Sequence, residues 1–131
     1  MKLMHTFIAI LSAALLGSTA FADTLSESYV TRLSTRDHFN SSGERLDSAA
    51  AIIRQDRANF HKFGKRDGED EADSFFSSAR NRELLEKLLE RGSADKGAIR
   101  SIMTGTPLVR VQVFTNTRTG NSYIRVSVIE N

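Results

Sequence analysis

The chain has 131 residues, with 18 Lys and Arg against 16 Asp and Glu, and no cysteine. That length suits one domain, and the lack of thiols excludes disulfide staples and thiolate zinc sites. A formal net charge of +2 gives no whole-molecule drive toward nucleic acid or an anionic membrane, and no nucleic-acid partner is expected.

The N-terminus opens with "MKLMH", which carries one lysine, and "FIAILSAALLG" (7–17), an apolar run interrupted only by Ser12. Ala20 and Ala22 are small residues of the kind a signal peptidase accepts, so residues 1–22 read as a cleaved secretory signal. The run is too short to cross a hydrocarbon core of ~30 Å, which takes about 20 helical residues, so no stable membrane span is expected after cleavage. No cysteine follows the run to carry a lipid. The expectation is a bacterial protein exported to the periplasm or the medium, with 109 mature residues, 17 of them basic and 16 acidic. A domain that size buries about two-thirds of its unfolded surface and can fold without staples.

Residues 23–45 read as a polar N-terminal arm ahead of a single domain over 46–131. Within the arm, "SYVTRL" (28–33) alternates enough for a short strand, although an extended arm or a short helix fits it nearly as well. "FNSSGER" is turn-forming, since Asn and Ser side chains bond nearby backbone amides.

The spacing predicts a helix over 46–63, "LDSAAAIIRQDRANFHKF", rich in Ala and long side chains, with Gly64 as its stop. The acids at 69–73 suit a helix start, where free amides and the backbone dipole favour negative charge. Two further helices are expected over 70–79 and 81–91, because the apolar stripe changes phase near "SARNR"; one long helix touching two layers is the alternative. Asn81 is a candidate cap and Gly92 a terminator. Ser93 would cap a last helix over 94–103, ended by Gly105 and Pro107.

At the C-terminus, "LVRVQVF" (108–114) and "SYIRVSVI" (122–129) alternate with period two around the turn-forming "TNTRTGN". The fold expected is α+β: three to four short helices packed on a C-terminal antiparallel hairpin, which 28–33 would extend to three strands.

No catalytic motif stands. A calcium loop begun at Asp67 places Ala72 where the sharp turn needs Gly and Ser78 where a Glu should close it. His5 lies in the signal, and His38 and His61 show no metal-ligand spacing. Neither a nucleophile elbow nor a phosphate-cradling glycine loop is present, and no metal or cofactor is expected.

Two features remain. Asp56 and Arg57 fall on the apolar stripe of the 46–63 helix, where unpaired charges would be too costly. They predict an ion network with Arg54, His61, Arg66, Asp67, Asp70 and Asp73, either pinning the 65–73 loop or binding an anion. The outer hairpin face, with Arg110, Phe114, Tyr123 and Arg125, mixes the residue types that interfaces favour. Together they favour a small non-enzymatic binding or accessory protein acting on another envelope or secreted protein, or on an anionic ligand. The alternative is a small metal-dependent or acid–base hydrolase built from His38, His61 and the nearby acids.

Overall fold

Period-two alternation makes strands at both ends of residues 22–131, which a computed structural model describes, and helical periodicity fills the middle. In chain order the elements are β1 (Thr24–Arg32), α1 (Ala49–His61), α2 (Ala79–Glu83), α3 (Leu85–Arg91), β2 (Ser93–Ala94), α4 (Lys96–Thr104), β3 (Leu108–Thr115) and β4 (Ser122–Glu130). These residues form an α+β fold. The expected signal segment lies outside the described residues, except for Ala22 at its end. No helix among the described residues is long and apolar enough to cross a membrane.

The sheet corrects the expectation of a C-terminal hairpin. It has four strands in the order β1-β3-β4-β2, with β3 antiparallel to β1 and β4, and β2 parallel to β4. The hairpin is therefore the centre of a mixed sheet. Its turn closes through the Asn116 side chain, which accepts from the backbone of Arg118 and Thr119, and through Gly120 at φ +72°. Strand β1 begins earlier than the alternation suggests. A bulge between Leu25 and Glu27 breaks the period there.

Val109, Val111, Val113, Ile124 and Val126 point to one face, where Ile52 and Ile53 of α1, Leu85 and Leu88 of α3, and Ile102 of α4 cover them. Burying each such side chain contributes about 1.5–3 kcal/mol. Helix α1 starts at Ala49, later than the expected 46, because the Ser48 hydroxyl caps it by accepting from the Ala51 amide at 3.1 Å.

The expected helix over 70–79 does not form. Apart from Ala79, which opens α2, its helical remnant is a 3-10 turn at Phe75–Ser77. The acids there bond outward to the free edge of β1 instead. The Glu71 amide donates to the Val30 carbonyl at 2.8 Å, and the Val30 amide donates to the Glu71 carboxylate at 2.7 Å. The Arg32 amide donates to Asp70 at 2.8 Å. This seals an edge that would otherwise offer open strand groups. The expected 81–91 helix is split at Leu84 into α2 and α3, and Ser78 rather than Asn81 supplies the capping oxygen.

Strand β2 takes Ser93, the expected cap of α4, and Ala94, its expected first residue, and Asp95 caps that helix instead. Its parallel approach to β4 depends on Gly92, where a Cβ would stand 1.6 Å from the Ile124 carbonyl oxygen. Gly92→Ala should therefore destabilise the protein by about 1–3 kcal/mol, the usual range for overpacking. Chemical denaturation measures the loss, and shifted amide resonances of Ser93 and Ala94 would show β2 leaving β4.

Candidate functional site

Helix α1 projects Arg57 into the core with its side chain fully buried. Its guanidinium donates Nε–H to Asp56 at 2.8 Å. From Nη1 it reaches Asp73 at 2.9 Å and the Glu71 carbonyl at 3.0 Å. Nη2 donates to the Thr31 hydroxyl at 3.0 Å. The plane lies 4.2 Å from the Tyr29 ring centroid and 4.6 Å from that of Phe60, so two aromatic faces contact the cation. One side chain thus ties α1 to β1 and to the 71–73 segment.

Two buried carboxyls face this one cation. Asp73 accepts from Arg57, from the Phe76 amide at 2.5 Å, and faces His61 Nε2 at 2.8 Å. Asp56 has only Arg57 and Thr31. Burial pushes the Asp56 carboxyl up from its ordinary 3.8 to about 8, against the pull of Arg57. Burial also works against the charge on Arg57, but the carboxyls outweigh it and the guanidinium holds its proton more tightly than usual.

Of the eight residues named for the network, Asp56, Arg57, His61 and Asp73 meet directly. Asp70 stands one step out, 3.1 Å from the Thr31 hydroxyl. Asp67 faces Arg36 at 3.5 Å, Arg66 lies over the Phe60 ring, and Arg54 is exposed. Arg82, buried nearby in sequence, donates to the carbonyls of Phe76 and Ser77 and takes no part in the cluster. Sequence reasoning missed Thr31, Tyr29 and the Glu71 carbonyl, which no local pattern links to Arg57.

The two histidines serve different partners. His38 sets its ring nitrogens 2.8 Å from the Ser34 carbonyl and 2.7 Å from that of Ile102, while His61 faces Asp73. His38 thereby fixes the segment after β1 to the C-terminal turn of α4. Among the described residues no group of three or more His, Asp or Glu is arranged to hold a metal ion.

A second arrangement lies at the turn end of the hairpin. The Phe114 and Tyr123 rings stack at 5.4 Å between centroids, and the Arg125 guanidinium stands 4.7 Å from the Phe114 centroid. Beside them a hollow of about 540 Å³ is lined by Asp23, Arg91, Asn116, Asn121, Tyr123 and Arg125, among others. The Tyr123 hydroxyl donates to Asp23 at 2.5 Å, and that bond raises its pKa. Arg91 and Arg125 make no ion pair among the described residues. Arg110 is exposed on the same sheet face, opposite Ser127, outside the hollow.

Two variants test the buried cluster. Arg57→Ala removes the cation that two buried carboxyls share and should cost about 3–5 kcal/mol of stability by thermal or chemical denaturation. The folded state keeps a proton on Asp56 up to about 8 that the unfolded chain releases near 3.8. The stability from that proton is complete below the lower value and lost as pH rises through the upper one. Asp56→Asn should remove this slope, so the Tm difference, variant minus wild type, should grow with pH across that window. Comparison of the chain with protein-family models, with curated proteins and with solved structures finds no match.

Proposed function

We propose that this is an exported binding protein that captures the oxyanion of a larger ligand, a carboxylate or a phosphate, in the hollow at the hairpin turn. The observation that carries the reading is the pair Arg91 and Arg125, two guanidinia on one polar hollow with no ion-pair partner among the described residues. Guanidinium groups present paired donors that match carboxylate and phosphate oxygens. Asn116 and Asn121 add amide groups, and the acid among the lining residues, Asp23, already accepts from the Tyr123 hydroxyl. The Phe114–Tyr123 stack under Arg125 restricts where that guanidinium can go, so less freedom is lost on binding. The leader-like pattern of residues 1–22 supports export, and the ligand would then sit on an envelope or secreted partner or be a free anion.

Amide chemical shifts followed during separate additions of inorganic phosphate and acetate, at constant ionic strength with chloride as control, test the reading. Saturable shifts confined to Ser93, Asn116 and the 121–125 stretch are expected. Arg91→Ala and Arg125→Ala should each weaken binding about tenfold, the loss of one charge-assisted contact. Equal shifts with chloride, or unchanged affinity in both variants, would overturn it.

A further inference from the structure

Helices α1, α3 and α4 cover the valine face of the sheet. On the opposite face the β3–β4 register sets three rows: Phe114 beside Tyr123, Gln112 beside Arg125, and Arg110 beside Ser127. Arg125 and Arg110 are therefore diagonal neighbours, about 7–8 Å apart across the two strands. Arg91, at the end of α3, adds a third guanidinium in the hollow beside Arg125. All three arginines are exposed, and none makes an ion pair among the described residues. The acids at the two ends of this face are engaged: Asp23 accepts from the Tyr123 hydroxyl, and Glu130 pairs with Arg32 at 3.2 Å. A line of cations thus leaves the hollow and crosses the open face of the sheet, and these acids do not answer it.

We propose that this face seats an extended acidic segment of a partner protein, with carboxylates at alternate positions. The inference rests on the hollow being an oxyanion site and names what carries the oxyanion. An extended chain rises about 3.3 Å per residue and sends alternate side chains the same way, so acids at i and i+2 stand about 6.6 Å apart. That spacing matches the step from Arg125 to Arg110. One carboxylate enters the hollow against Arg91 and Arg125, and the next meets Arg110. Gln112 and Ser127, beside these arginines, offer an amide and a hydroxyl to the passing backbone. A nucleic-acid strand would instead need aromatic faces on which to stack its bases. The Phe114 and Tyr123 rings stack on each other with planes 11° apart, and Arg125 stands over Phe114, so those faces meet protein groups. Once the first carboxylate is held, the second contact is intramolecular and raises the affinity without a second pocket.

Amide-shift titrations with three capped serine peptides test this. One carries a single glutamate, one two adjacent glutamates, and one two glutamates with a serine between them. The separated pair should bind about fivefold tighter than either of the others, the gain from one more exposed ion pair. Its shifts should reach from the hollow to Arg110 and Ser127, and its affinity should fall with salt. Arg110→Ala should erase the fivefold advantage, its amide spectrum showing that the variant folds. Equal affinities for the three peptides, with acetate still saturating the hollow, would sink the acidic segment and leave the anion site standing. No saturation by acetate or by any peptide removes both. A thymidine oligonucleotide that binds this face more tightly than the separated pair also defeats the proposal, because the partner would then be nucleic acid.

Discussion

A guanidinium without water around it must find its hydrogen bonds inside the protein, and in this molecule that demand decides how three separate pieces of chain meet. Arg57 draws the Asp56 carboxyl, the Thr31 hydroxyl, the Glu71 carbonyl and the Asp73 carboxylate around one plane, with aromatic rings against it. The segment from Glu69 to Ser74 has no regular structure of its own. Its position follows from those bonds and from the backbone of β1. The outer edge of the sheet is consequently closed by a loop that a buried arginine holds in place.

Periodicity made legible what periodicity encodes. Helices α1 and α4 and the β3–β4 pair each carry a continuous pattern, and they stand within a few residues of where that pattern places them. Residues 70–79 did not, because acids that suit a helix start suit a strand edge equally well, and only the fold supplies the edge. Strand β2 is two residues long, below what alternation can register, and its signal was Gly92, whose missing side chain admits the Ile124 backbone. At the buried cluster, Asp56 and Arg57 were visible as charges on an apolar stripe. Thr31 and Tyr29 were not, since they lie on a different strand 26 and 28 positions earlier in the chain.

The hollow shows the same division. Tyr123 and Arg125 stood out as the polar face of an alternating strand. Arg91 comes alongside only because β2 runs parallel to β4, and Asp23 only because β1 flanks β3. Helix α3 ends at Arg91 in the hollow, so a shift of α3 along its axis would be felt there.

Carboxylates that seal a strand edge do so only as acceptors. The Val30 and Arg32 amides rest on the side chains of Glu71 and Asp70 rather than on a neighbouring strand. Anything that draws the 69–74 segment away would open the seal from outside while β1 stayed paired with β3 on its inner side. What that exposes is a folded sheet with one bare edge, the form that adds strands from other copies and grows into fibres.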